Sequence, residues 1–412
     1  MASQIFTDIS LLANTRPASH LIRGKEMAQL PVIENAYLII EGDRIAEYGP
    51  MSELRYFSAG FERLPIGTVI LPAWCDSHTH MVYAGSREGE FVSKIKGLSY
   101  AEIAAQGGGI LHSARLLNDT SEDELFRLAW ARLEEVTKTG TGAVEIKSGY
   151  GLSVEGELKM LRVIKKLKSR SSLLIKATFL GAHAFPAAYR DDHQAYLALI
   201  VDKILPVIAA EKLADYIDVF CEQGFFSSQE MDVVCRAGQQ YGLKPKLHVN
   251  QLSSCGGIQQ GIALNAVSLD HLETVTGEEV RLLGRYGGST TLLPTAAFFL
   301  RMGYPPARQL IEAGAAITLA SDYNPGSSPS GNMNFVVALS CIQMKLLPAE
   351  AINAATINGA CAMEIEKEAG SITVGKKANL LFSQPLPSLD YIPYSFGNNF
   401  IHRVMINGDF VW

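Results

Sequence analysis

Asp76, His78 and His80 alternate within residues 68–88, TVILPAWCDSHTHMVYAGSRE. On an extended backbone alternate side chains leave from one face, so the two imidazoles stand roughly 6–7 Å apart at their Cα atoms. Neutral imidazole is a common ligand for zinc or iron, and two of them on one strand end supply half a coordination sphere. Taken alone, the pair also reads as two solvated loop histidines, so its companions matter. His183 follows an apolar run in FLGAHAFP, His248 lies in KLHVNQ, Asp270 and His271 end VSLDH, and Asp322 ends ITLASD. Each by itself has an ordinary reading as a hydrogen-bonded wall residue. Brought together, His78, His80, His248 and Asp322 would make a site of three nitrogens and one carboxylate with room for water, the open arrangement of a catalytic metal. A cation there lowers the pKa of water from about 16 to about 7, which makes hydroxide available at neutral pH. Asp322 could then take a proton from the water and return it to a leaving nitrogen. His271 could polarise a carbonyl under attack or stabilise the oxyanion that forms.

A small organic anion needs a positive anchor. Arg87, seven residues beyond His80, has the planar fork that grips a carboxylate in a bidentate manner, although a surface ion pair with Glu88 or Glu90 is the plainer reading. Tyr150 in KSGYGLS, and Asn324, Gly326 and Ser327 in DYNPGSS, fall in glycine- or proline-bearing loops whose backbones can turn tightly.

These residues must be held by repeated elements. Eight short apolar runs (69–75, 143–147, 173–180, 216–221, 246–249, 266–269, 289–293 and 316–320) are separated for the most part by amphipathic stretches such as 121–138, 154–169, 192–213, 228–241 and 276–285. Eightfold strand and helix alternation predicts an α/β chain with a closed parallel (β/α)8 barrel of the TIM type, an open doubly wound sheet being the alternative. The candidate residues follow predicted strands or, for His248, lie on one near its end, at the face where such barrels carry their chemistry. Two helical segments, 333–345 and 348–363, are expected after the eighth run, while residues 1–66 and 367–412 read as short strands and turns, with hairpin signals at EGDRIAEYG and NGDFVW. The expected organisation is residues 67–366 as the barrel, with 1–66 and 367–412 combining into a small composite β-sandwich domain.

At 412 residues, 48% hydrophobic and 19% charged, the chain can bury a large core. A net charge of −6 with no sustained basic run argues against a nucleic-acid partner; Lys165 to Arg170 fall on a predicted helix. Six cysteines without CxxC spacing suggest reduced thiols and a cytoplasmic setting. No leader pattern is evident, and the apolar stretch 196–210 is interrupted by Asp202 and Lys203, so no membrane role is expected. The glycines at 107–109 lack the lysine of a phosphate-binding loop, and Glu222 after the fourth run reads as a helix-capping or pairing group.

The pattern resembles the metal-dependent amidohydrolase superfamily, carried by DSHTHMVYAGSRE, EIKSGYGL, FLGAHAFP, KLHVNQ, DHLE and ASDYNPGSS in the expected order. The resemblance implies one Zn2+ or Fe3+ per subunit held by His78, His80, His248 and Asp322, with His271 assisting at the carbonyl. It also implies that Arg87, Tyr150, His183, Gln251, Asn324, Gly326 and Ser327 line the site for substrate. Where many relatives carry glutamate three residues beyond the fifth-strand histidine, this chain has Gln251, which keeps a hydrogen-bonding handle without a proton acceptor. The fourth run offers no bridging lysine, in keeping with one metal and not two. The implied reaction is hydrolysis of the ring amide of 4-imidazolone-5-propanoate to N-formimidoyl-L-glutamate, a step in histidine degradation. The barrel surface left exposed by such folds suggests a homodimer. Deamination of a heterocyclic base is the nearer rival, and a non-catalytic scaffold the more distant one.

Overall fold

A computed structural model describes residues 3–17, 19–55, 60–98, 102 and 108–412; Gly107, first of the glycine triplet, lies outside them. The chain opens with strands β1 (Ser3–Ala13), β2 (Val32–Glu41), β3 (Arg44–Pro50), β4 (Glu62–Arg63) and β5 (Val69–Pro72). There follow β6 (Trp74–Thr79), β7 (Thr141–Lys147), β8 (Leu174–Ala182) and β9 (Tyr216–Cys221). Next come β10 (Lys244–Val249), β11 (Ser268–His271), β12 (Ser289–Leu292) and β13 (Ile317–Leu319). The chain closes with β14 (Leu380–Ser383), β15 (Ile401–Ile406) and β16 (Asp409–Phe410).

Strands β6 to β13 lie side by side in chain order, every neighbouring pair parallel. The ring joins up just past β13, where the Asp322 N–H donates to the His78 carbonyl (3.0 Å) and the His80 N–H donates to the Tyr323 carbonyl (2.9 Å). The alternation of short runs and amphipathic stretches therefore does produce an eight-stranded α/β barrel. Its strands carry two side-chain sets at a period of two. Val144, Ile146, Ile217, Val219, Leu247, Val249 and Leu269 belong to the main apolar core shared with the surrounding helices. Between them Glu145, Lys147, Asp218, Lys246, His248 and Asp270 are equally buried, and they meet one another across the barrel. Helices Glu122–Lys138, Val154–Arg170, Ser228–Gln240 and Gly277–Arg285 each begin at a Ser or Thr whose hydroxyl accepts a first-turn N–H, and the last two are completed by a glutamate in a capping box.

The two chain ends meet in a separate sheet, ordered β16-β15-β14-β5-β1-β2-β3, with β4 alongside β1. Phe6, Ile9, Leu12, Leu38 and Ile40 from the first end pack with Leu380, Phe382 and Met405 from the last. The longest strand here, β1, has no regular alternation to announce it: its register slips between Phe6 and Ile9, with Asp8 at φ 57°.

Three elements depart from the sequence reading. The run 69–75 is two strands, β5 ending at Pro72 in the end sheet and β6 opening the barrel at Trp74; Ala73 between them donates to the Asn379 carbonyl (2.9 Å). The helix expected over 192–213 forms as His193–Glu211, but it is π-helical over Ile200–Ile204. Its 19 residues are long and apolar enough to cross a bilayer by composition, yet Tyr196, Leu197, Ile200, Ile204 and Ile208 pack into the main core. The helix expected over 348–363 breaks at Thr356 into Pro348–Ala355 and Ile357–Ala362, where the Thr356 hydroxyl bonds back to the Ile352 carbonyl (2.5 Å).

Candidate active site

Period two along β6 sends Asp76, His78 and His80 to the barrel interior, and His248 on β10 and Asp322 just past β13 meet them there. His78 Nε2 lies 3.0 Å from His248 Nε2 and 3.6 Å from Asp322 Oδ1, and His80 Nε2 lies 3.5 Å from the same oxygen. All four residues are at most 3% exposed. Among the described residues, two groups could hold one ion, His78 with His80 and Asp322, and His78 with His248 and His271. Asp76 lies deeper, accepting from the Ser321 N–H (3.0 Å) and hydroxyl (2.5 Å), which ties β6 to the end of β13.

The outer nitrogens of two imidazoles are already committed. His78 Nδ1 donates to Asp270 Oδ2 (2.7 Å) and His248 Nδ1 donates to Asp218 Oδ2 (2.8 Å). A ring that donates from Nδ1 presents a bare lone pair at Nε2. Two such lone pairs 3.0 Å apart repel unless a cation lies against both. Protons are a poor answer, because burial holds the pKa values of His78, His80 and His248 well below the ordinary imidazole value. A transition-metal ion fits: two ligand atoms about 2.1 Å from one ion at a tetrahedral angle stand about 3.4 Å apart, and the observed edges of 3.0, 3.5 and 3.6 Å bracket that span.

Asp322 and His271 both have positive φ, 53° and 85°, conformations that cost energy for residues other than glycine and that gather at functional sites. Burial pushes the Asp322 carboxyl up to about 6, against the pull of His271 and the Ser327 hydroxyl. Burial acts to lower the His271 pKa, but Glu273, 3.4 Å from its Nδ1, with Asp322 and Asp270, raises it above the ordinary value.

Tyr150 and His183 stand beside His80, with ring centroids 6.0 and 5.6 Å away. His183 Nδ1 donates to the Gly149 carbonyl (3.0 Å), which directs Nε2 away from that loop, and burial lowers its pKa to about 4. Gly149 is at φ 111°, and a Cβ there would lie 2.9 Å from His183 Nδ1. Arg87 lies 5.8 Å from the Tyr150 ring centroid; its Nε donates to Ser113 Oγ (2.9 Å), while its buried Nη2 has no hydrogen-bond partner among the described residues. Neither glutamate named as its plainer partner takes it, since Glu88 accepts from Ser86 and Glu90 accepts from the Gly109 N–H. A Cβ on Gly326 would sit 2.6 Å from Arg87 Nη1, so a side chain there would displace the guanidinium from its place against the loop past β13. Gln251 is buried in the loop after β10.

The loop past β13 is internally satisfied. Asn324 accepts from the Gly326 and Ser327 N–H groups and donates to the Asp322 carbonyl and Ser327 Oγ, and the Ser327 hydroxyl donates to Asp322 Oδ2 (3.0 Å). These polar groups therefore build the loop and orient Asp322. Glu222, expected to cap a helix or form a pair, does neither: it accepts from the Leu252 N–H (2.8 Å) and the Ser253 hydroxyl, staking down the loop that carries Gln251.

Sequence reasoning passed over Asp218, Glu145, Lys147 and Glu157. The signal was present, because a charged residue inside a run predicted to be a buried strand, as in AVEIK or YIDVF, needs a partner across the barrel. Glu157 accepts from the N–H groups of Gly149 (3.0 Å), Gly151 (2.7 Å) and Leu152 (3.1 Å), which fixes the loop around Tyr150.

A profile of the Amidohydrolase family matches residues 244–411. The chain is 56% identical over 390 residues to an imidazolonepropionase of Flavobacterium johnsoniae, covering 95% of each chain. It is 50% identical over 408 residues to an imidazolonepropionase of Christiangramia forsetii, covering 99% of each. Among solved structures, a guanine deaminase of E. coli shares the fold with a TM-score of 0.72 at 14% identity, over 100% of this chain and 99% of that one. Identity of this order over almost every residue, loops as well as strands, carries more than a shared barrel: the chain belongs to the imidazolonepropionase family of the amidohydrolases.

Proposed function

We propose that this chain hydrolyses the ring amide of 4-imidazolone-5-propanoate to N-formimidoyl-L-glutamate. The observation that carries the reading is the pair of inward lone pairs on His78 and His248, 3.0 Å apart and beside Asp322, with Tyr150 between neighbouring His80 and the Arg87 guanidinium, whose Nη2 has no hydrogen-bond partner among the described residues. His78, His80, His248 and Asp322 hold one ion, zinc or iron, in this reading. When bound, the ion supplies the charge that makes water acidic near neutral pH and polarises a carbonyl. Arg87 grips the propanoate carboxylate, with Tyr150, His183 and Gln251 around the ring. Asp322, held by Ser327, takes the proton of the attacking water and returns it to the ring nitrogen as the C–N bond breaks. His271 donates toward the oxygen on which negative charge develops. Asn324 and Gly326 keep the loop in the shape that presents Asp322 and admits Arg87. A homodimer in the cytoplasm completes the assignment.

The test is loss of the imidazolone absorbance with formation of formimidoylglutamate, run beside ammonia release from purines and pyrimidines. Imidazolone turnover that disappears on chelation and returns with zinc or iron supports the reading. Ammonia release from a base, with the imidazolone untouched, replaces it by a deaminase.

A further inference from the structure

We propose that Lys147 is a positioning residue for the cation site, orienting two of its histidines at once through Asp218 and Asp270. The inference rests on reading His78 and His248 as ligands. Lys147, on β7, is fully buried. Its ammonium donates to Asp218 Oδ2 (2.9 Å) and Glu145 Oε1 (2.7 Å) and lies 3.8 Å from Asp270 Oδ2. The two aspartate oxygens it faces are the ones that receive the ring protons, Asp218 Oδ2 from His248 and Asp270 Oδ2 from His78.

One side chain therefore sits behind both imidazoles. Partners behind a ligating histidine set its ring orientation and basicity, and here those partners share a counterion. The second buried ammonium nearby, Lys246, is 3.0 Å from Glu145 Oε2 and is otherwise bound to Ser268 Oγ and the Ala362 carbonyl. Without Lys147, the one cation left near Asp218 and Asp270 among the described residues would be Lys246, whose hydrogen bonds go to Ser268 and Ala362 and to neither aspartate. Repulsion would turn the carboxylates away from the ring donors and leave each imidazole free to rotate. A lysine reaches several carboxylates because its charge is a point with three donors.

A lysine that only plugs the barrel would affect stability and leave the site unaffected, so metal affinity separates the two roles. The test uses purified metal-loaded enzyme, with transfer of zinc to a coloured chelator and the visible spectrum of the cobalt(II)-substituted protein as readouts. Lys147→Met is expected to weaken zinc binding about 10–100-fold and to shift the cobalt bands, with KM little changed once metal is saturating. Val219→Ala, on the outward face of β9, serves as a destabilised control expected to leave both readouts unmoved. Asp218→Asn and Asp270→Asn, alone and together, keep the question answerable if Lys147→Met does not fold: partners sharing one ammonium should combine to less than the product of their separate effects. Wild-type zinc affinity in Lys147→Met, or multiplicative effects in the aspartate pair, overturns the inference. His78→Ala is the reference, because zinc binding that survives it overturns the ligand assignment itself, whereas its loss beside an unchanged Lys147→Met overturns only the role of the lysine.

Discussion

A carboxylate that takes a proton from water and hands it on must be poised between the two tasks, and Asp322 is poised by competing neighbours. Its Oδ1 lies 3.6 and 3.5 Å from the Nε2 atoms of His78 and His80, while its Oδ2 accepts from the Ser327 hydroxyl, so one oxygen faces the histidines and the other is held by the loop. Asp322→Asn keeps the shape and removes the acceptor; kcat is expected to fall by about a thousandfold or more, measured as imidazolone turnover at matched metal content. Near wild-type turnover would move the proton transfer elsewhere. Arg87 makes a different contribution. Its unpartnered Nη2 suits a substrate carboxylate, and a hydrogen bond to a charged group is worth about 1.5–3 kcal/mol. Arg87→Ala should therefore raise KM roughly 10–150-fold with a smaller change in kcat, and an unchanged KM would exclude it as the anchor. At this scale the sequence was informative where a residue type names its chemistry, as in the alternating His78 and His80. Where a residue matters through a partner far along the chain it showed the need but not the partner: a charge inside YIDVF must be paired, yet nothing near Asp218 indicates that it will accept from His248, 2.8 Å away in space and thirty positions away in sequence.

Strands place the ion site, but loops place the substrate, and the loops are held by buried carboxylates. Glu157 stands at the start of its helix yet accepts three N–H groups from the turn before it, and those bonds oppose the burial that raises its pKa. An amide keeps one oxygen and turns two N–H donors toward backbone donors. Glu157→Gln is expected to cost about 1–3 kcal/mol of stability and to lower kcat/KM about tenfold or more with zinc content unchanged. Faster hydrogen exchange confined to residues 149–152 would locate the effect, whereas exchange at the wild-type rate there would deny Glu157 this role. The barrel was legible in the sequence because parallel strands buried on both faces read as short apolar runs. The division at Ala73 was not, since Val69–Pro72 and Trp74–Thr79 serve different sheets with no polar residue between them. Nor could local periodicity foresee the break at Thr356, whose hydroxyl is engaged by Ile352 and by Asn14 from the other end of the chain.

The end sheet and the barrel are bound into one structure by such distant contacts. Arg16 donates to the Gln29 carbonyl and to Asn353, Asn14 reaches Thr356, and Asn358 donates to the Ile22 and Ile317 carbonyls, so the helices after the eighth barrel strand are fastened to the first residues of the chain. Strand β5 leads into β6 through Ala73 alone, and β6 carries His78 and leads straight into His80. An ion bound at the barrel rim should therefore stabilise both sheets together. A ligand present at a hundred times its Kd adds about 2.7 kcal/mol to the folded state, and because unfolding entropy grows with length, in a chain of 412 residues each kcal/mol moves Tm by only about 1 °C. Scanning calorimetry of the metal-loaded enzyme is expected to show one transition, and prolonged chelation should lower that single transition by at least about 3 °C. Two resolved transitions, with only one sensitive to chelator, would mean that the end sheet unfolds independently of the barrel and that the contacts through Asn14, Arg16 and Asn358 do not couple them.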